Sequence, residues 1–198
     1  MARPPDANKR AEIAARTAEY LASHGIAETS LRTVAAELGT TARMLVHYFG
    51  TKEQLFTAAL ESQRQDFAES FTQITNADEL KPALIDLWRS MTIGERATGA
   101  RLLMQVLAAG GPYQEYARSV AADISGALQL ALQRAGISPV STRALSLHLS
   151  ATFRGLLLER FNSDDPESVD ESAVAILSAI ADWEADYTDR RGSGRAAE

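Results

Sequence analysis

Apolar residues recur at three- and four-residue spacing along almost the whole chain, and no stretch alternates convincingly with the period of two that marks a strand. Ile13, Ala14, Thr17, Ala18 and Leu21 share one face of a helix expected from about Lys9 to His24; Gly25 ends it and Ile26 packs back. Leu31, Val34, Ala35 and Leu38 make the stripe of a second helix, capped by Thr29 or Ser30 and followed by a turn at Gly39. Thr40 or Thr41 caps a third, short helix in which Leu45 and Phe49 stand four apart. Ala42, Arg43, Val46 and His47 then point elsewhere. Thr51 with Gln54 is a capping-box start for a fourth helix, whose inner stripe is expected to run through Phe56, Leu60, Gln63, Phe67 and Phe71.

At least five further helices are expected from Asp78 onward. Leu80, Leu84, Leu87, Trp88 and Met91 define one, closed by Gly94. Glu95 to Ala109 is apolar on most sides and is expected to be central and buried. Pro112 suits the first turn of the next, which carries Tyr113, Tyr116, Val120, Ile124, Leu128 and Leu132 up to the stop at Gly136. Ser138-Pro139 starts another, carrying Leu145, Leu149, Phe153 and Leu157, and Asp165-Pro166 caps the last, with Ala173, Leu177, Ile180 and Trp183 in register. Residues 1–7, with two prolines, read as a mobile arm, and residues 190–198 as a disordered tail. The expected fold is therefore all-α.

Composition sets limits on function. Apolar residues at 45% and charged residues at 23% are ordinary for a folded chain of 198 residues. No apolar run is long enough to cross a membrane, no secretory signal opens the chain, and cysteine is absent, so a cytoplasmic location is expected. The net charge of −6 is unevenly spread. Residues 1–55 hold seven basic and six acidic residues, a net +1, which leaves a net −7 on residues 56–198. That asymmetry fits a module facing nucleic acid joined to a body that phosphate would repel. His24, His47 and His148 lie too far apart to propose a metal site, and Glu95, Asp123 and Glu159 lack partner spacing for acid/base chemistry. Neither a cofactor nor an enzyme activity is expected.

Two short helices meeting at Gly39 between a capped first helix and a capped fourth make a helix-turn-helix, whose second helix enters the DNA major groove. The residues carry a specific resemblance as well. His24-Gly25-Ile26, Thr29-Ser30-Leu31-Arg32-Thr33-Val34-Ala35, Leu38-Gly39, Leu45-Val46-His47-Tyr48-Phe49 and Lys52-Glu53-Gln54-Leu55 stand in register over about residues 9–60, and this segment resembles the tetracycline-repressor (TetR) family of bacterial transcriptional regulators. The rest of the chain is similar to that family in architecture alone.

The resemblance implies an N-terminal three-helix DNA-binding domain over residues 1–50 and a C-terminal helical bundle over 51–198 for effector binding and dimerisation. It implies that Thr29 and Ser30 meet one phosphate through a helix N-terminus, that Lys52 meets a second, and that Tyr48 reaches the backbone. Thr41, Ala42, Arg43, Met44 and His47 would face the groove, with Arg32, Thr40 and Val46 beside them. Arg43 suits O6 and N7 of guanine, and Val46 suits a thymine methyl. Many family members carry a small residue or glycine at the position of Arg43 and a tyrosine at that of Val46, so no relative supplies the operator.

An effector site is expected among the middle helices, with Trp88, Met91, Met104, Gln105, Tyr113, Tyr116, Phe153 and Arg154 as its candidates. Those side chains imply a hydrophobic or aromatic effector, with a carboxylate if Arg154 pairs with it rather than with Asp123 or solvent. The last two helices are the expected dimer interface, through Leu145, His148, Leu149, Thr152 and Leu156 on one and Ala173, Ile176, Leu177 and Ile180 on the other. The expected protein is a homodimeric repressor that binds a palindromic operator and is released by a small molecule. The alternatives are an activator of the same family, or a helical small-molecule-binding protein whose helix-turn-helix does not bind DNA.

Overall fold

Asp6 opens the first helix: its carboxylate accepts the amides of Asn8 at 3.0 Å and Lys9 at 3.4 Å, which satisfies donors that a helix start leaves unpaired. The structure, a computed structural model, describes residues 6–109, 111–137 and 139–193, without the side chains of residues 95, 109, 139–141 and 183–193. Nine α-helices and three short 3-10 turns follow one another among the described residues, with no strand. They are α1 (Ala7–His24), α2 (Leu31–Glu37), α3 (Ala42–Phe49), α4 (Lys52–Ser62), α5 (Leu80–Thr92), α6 (Glu95–Ala109), α7 (Gln114–Arg134), α8 (Pro139–Asn162) and α9 (Pro166–Ser193).

The chain forms two compact units, residues 1–65 with 94–119 and residues 66–93 with 120–198. The first is built on the expected stripes. Ile13, Ala18 and Leu21 of α1, Val34 and Ala35 of α2, Leu45 and Phe49 of α3, and Leu55, Phe56 and Leu60 of α4 form one buried cluster. Leu102 and Val106 of α6, with Tyr113 and Ala117, complete it. Side chains of this layer also clasp the neighbouring helix ends. Gln105 donates to the carbonyl of Ala22 at 3.2 Å, the Tyr116 hydroxyl to that of Leu60 at 2.9 Å, and Gln65 to that of Arg96 at 2.8 Å.

The second unit packs α5 against α9 and α8 against both. Its core holds Leu80, Leu84 and Trp88 of α5, Leu128 and Leu132 of α7, Leu149 and Phe153 of α8, and Ala173 and Leu177 of α9. Arg160 grips the carboxylate of Asp170 through Nε, 3.0 Å from each oxygen, and Trp88 donates its indole N–H to the same carboxylate at 3.0 Å. Three elements are thus tied at one half-buried acid.

Four expectations need revision. The fourth helix ends at Ser62 rather than reaching Phe71. The polar run Gln63–Asp66 has no apolar face to bury, and the Asp66 carboxylate accepts the amides of Ala68 and Glu69, which starts a separate turn. Phe67 and Phe71 are still buried, with Phe71 on a 3-10 turn. α6 is not enclosed all round, because Arg101, Leu107 and Ala108 face solvent. The N-terminal segment is helical from Ala7, so residues 1–5 of the expected arm lie outside the described residues. At the other end α9 runs to Ser193, which makes residues 190–193 helix; residues 194–198 and the side chain of Trp183 lie outside the described residues.

Candidate nucleic-acid interface

Two caps and one glycine position α3. Leu38 ends α2, Gly39 takes φ +65°, and the Thr40 amide donates back to the Ala35 carbonyl at 2.9 Å. Thr41 then caps α3, accepting the amide of Met44 at 3.2 Å. Leu45 and Phe49, fully and almost fully buried, anchor the inner face. Their burial forces Arg43, Met44, Val46 and His47 outward, all four exposed, with Ala42 and Tyr48 partly so. Met44 is 42% exposed and Val46 46% exposed, which puts two apolar side chains on the outward face of the helix.

The flanking candidates divide. Ser30 is the cap of α2 and exchanges bonds with Thr33 in both directions, leaving an exposed hydroxyl at a helix N-terminus. Thr29 is buried, 4% exposed, and its hydroxyl donates to the Gly25 carbonyl at 2.5 Å. The phosphate bond expected of that hydroxyl is therefore corrected, because the donor already ties α2 back to the end of α1. Arg32 is exposed and Thr40 half-buried. Lys52 opens α4 beside its Thr51 cap, with Nζ 5.2 Å from the Phe56 ring centre, a cation–π placement that steadies the ammonium group. Next to it, Glu53 keeps its carboxyl below the ordinary range through its own backbone amide and the Thr51 hydroxyl. A permanent negative charge thus stands beside Lys52.

Arg10 is not among the site residues expected from the sequence. Its guanidinium lies 4.9 Å from the Phe49 ring centre, which carries a cation from α1 to the end of α3. Only the tertiary packing makes that visible, since 39 positions separate the pair.

The effector candidates fall into two sets. Tyr113 stacks near Phe56, at 6.3 Å, and Tyr116 and Gln105 make the helix-end bonds already described, so all three serve the first unit, as does buried Met104. Burial pushes the Tyr113 hydroxyl up to about 12, with Glu53 adding to the shift; burial and then Glu61 push Tyr116 up to about 12. Both stay protonated donors. Trp88 and Phe153, 6.3 Å apart, and Met91 are buried in the second unit. Arg154 is half-buried on α8, one turn after Ser150, whose buried hydroxyl has no partner among the described residues.

The expected dimer residues also divide. Leu149, Ala173 and Leu177 are buried within the chain. His148, Thr152, Leu156, Ile176 and Ile180 instead line an open, apolar groove of about 960 Å³ along α8 and α9, together with buried Leu145 and with Ala144, Gly155 and Ala179. Leu147 and Leu158, 64% and 53% exposed on α8, do not stand out in the sequence because neither breaks the helical apolar pattern. Among the described residues no group of acidic or histidine side chains could hold a metal ion, and no helix is long and apolar enough to cross a membrane.

A capped short helix that presents a cation and apolar side chains outward is the arrangement of the helix-turn-helix class of DNA-reading motif. Residues 13–59 match the family model of bacterial regulatory proteins of the tetR family, so the helix-turn-helix segment of this chain is similar to that family's. It is 30% identical to the HTH-type transcriptional repressor SCO4008 of Streptomyces coelicolor over 61% of this chain and 65% of that protein, so the match spans just under two thirds of the relative. The fold is similar to that of a transcriptional regulator from Rhodococcus sp. Rha1, with a TM-score of 0.70, 23% identity, and coverage of 88% of this chain and 96% of that one. It is also similar to that of AibR in complex with isovaleryl coenzyme A and operator DNA, with a TM-score of 0.64, 19% identity, and coverage of 85% and 97%.

Proposed function

We propose that this protein is a cytoplasmic, non-enzymatic transcriptional repressor that binds a palindromic operator as a homodimer and is released by a small-molecule effector. The observation that carries the proposal is the exposed face of α3, held outward by the buried pair Leu45 and Phe49. Residues 1–50 act on DNA: Ser30 and Arg10 meet phosphates together with Lys52 just beyond them, Arg32, Thr40, Thr41 and Tyr48 border the groove, and Ala42 gives the helix room to enter it. Residues 51–198 bind the effector and pair the two chains. The groove along α8 and α9 receives the same groove of a second copy, in a four-helix interface.

The effector carries an apolar body, which fits Trp88, Met91 and Phe153, and a carboxylate, which fits half-buried Arg154 near the Ser150 hydroxyl. It acts by binding more tightly to a state whose two reading heads are wrongly spaced, so its differential affinity weakens DNA binding. The likeness to AibR, solved with an acyl coenzyme A and operator DNA, supports a regulator of this general kind.

A gel-shift titration of the full chain against DNA upstream of its own coding region tests the proposal. Affinity should fall steeply with salt, and Lys52→Ala should flatten the slope of log K against log salt by about 1 for each phosphate no longer neutralised. A salt-independent or absent shift favours the small-molecule-binding alternative. Reporter expression in the presence of the chain separates a repressor from an activator.

A further inference from the structure

The outward face of α3 has an order that the operator must match. Successive residues of a helix are turned by about 100°. Around the face away from Leu45 and Phe49 the side chains therefore run Val46, Arg43, His47, Met44. Arg43 and His47, four apart, stack along the centre line one turn from each other. Val46 and Met44 flank them on opposite sides. Among the described residues neither Arg43 nor His47 has an ion pair, and the ring neighbour of His47 is Tyr48, edge-on at 5.5 Å. Thr41 spends its hydroxyl oxygen on the Met44 amide rather than on a side chain, so all four side chains are available.

The major groove offers few matches to such a face. Arg43 fits the O6 and N7 acceptors of guanine, and an imidazole N–H fits a single purine acceptor. The one apolar group on a base edge is the thymine methyl. Two apolar side chains split by a polar pair cannot share one methyl, so they require two, on either side of the purines. We propose that each half-site contains a guanine read by Arg43 and an adjacent purine met by His47, bordered on both flanks by thymines whose methyl groups pack on Val46 and Met44. Specificity at the flanks is then hydrophobic and comes from side chains that would otherwise only expose apolar surface to water. This inference rests on the reading of the protein as an operator-binding regulator.

The experiment is selection of duplexes from a random pool by the full chain at low salt, followed by replacement of each enriched thymine with uracil, which removes the methyl group and nothing else. The expected result is two methyl-sensitive thymines per half-site, each worth about a fourfold loss of affinity, the effect of one buried methyl-sized group. Val46→Ala should abolish the sensitivity at one flank and Met44→Ala at the other. Arg43→Gln should relax the guanine preference between them. All three positions are exposed, and circular dichroism of each variant establishes that the helix persists. An enriched motif without methyl sensitivity, or with sensitivity unchanged in both alanine variants, overturns this inference and leaves operator binding intact. Failure to enrich any sequence overturns the operator-binding reading itself.

Discussion

Gly99 shows how much a single missing side chain decides. A Cβ at that position would lie 2.8 Å from the backbone carbonyl of Gln63 and 3.1 Å from Nε2 of Gln65, closer than packed atoms tolerate. The first obstacle is backbone just past the end of α4 and cannot swing aside as a side-chain tip can. Gly99→Ala should therefore destabilise by about 1–3 kcal/mol, although alanine has the higher helix propensity. A thermal melt should show a fall of roughly 3–10 °C in Tm for a chain of this length. An unchanged or higher Tm would mean that α6 can draw back from α4 freely. In the sequence Gly99 is one more small residue in an apolar helix, since nothing local reveals which backbone lies opposite. The same limit applies to Thr29, legible as a cap-region hydroxyl but not as one already turned to Gly25. By contrast, Ser30, Thr41 and Thr51 are legible as caps because each bonds an amide three residues on.

At the scale of elements, the 3-10 turn ending at Tyr113 and the first turn of α7 belong with the cluster formed by α1 to α4. Tyr113 and Tyr116 carry their rings into that cluster, and Tyr116 bonds the Leu60 carbonyl near the end of α4. Both hydroxyls are raised to about 12, first of all by burial. A folded-state value above the ordinary one of about 10 means that folding favours the neutral phenol, so the contribution to stability is present in full below pH 10 and is lost as pH rises through about 12. Absorbance at 295 nm should accordingly resolve two of the five tyrosines titrating about two pH units later than an ordinary phenol, accompanied by loss of helicity near pH 12. Tyr116→Phe should remove one late component and leave the other. If neither Tyr113 nor Tyr116 titrates late while the helices stay intact, the burial of these rings is wrong. Seven-residue α2 and eight-residue α3 can be delimited in the sequence to within a residue or two, because caps and glycines bracket them. α4 cannot, because Phe67 and Phe71 keep helical spacing beyond the point where the chain leaves the helix.

For the molecule as a whole, the open groove along α8 and α9 is a large apolar surface that one chain leaves uncovered. Ile176 sits in it, 42% exposed, without a full packing role inside the chain. Ile176→Glu should leave the fold of the single chain unchanged by circular dichroism and abolish the proposed dimer in light scattering at micromolar concentration. Burying an unpaired carboxylate in an apolar interface costs more than the interface can recover. Binding to a palindrome should then fall to that of a single half-site. A wild-type chain that is monomeric at that concentration would remove the dimer and the palindrome together.

The sequence by itself determined the helical class, the helix-turn-helix, its caps, its inner stripes and the identity of its outward residues. These depend on a 3.6-residue period and on hydrogen bonds spanning two to four residues, which are written in neighbouring positions. The tertiary structure alone decided which apolar residues of the last two helices close the core and which stay open: Leu149, Ala173 and Leu177 inward, Leu156, Ile176 and Ile180 along the groove. It alone decided that α6 joins the reading helices, that Arg10 reaches Phe49, and that Gln105 holds Ala22 across 83 residues of chain. Such choices depend on which surface is packed against which. The balance of burial and close packing over the folded chain sets that, and no local spacing records it.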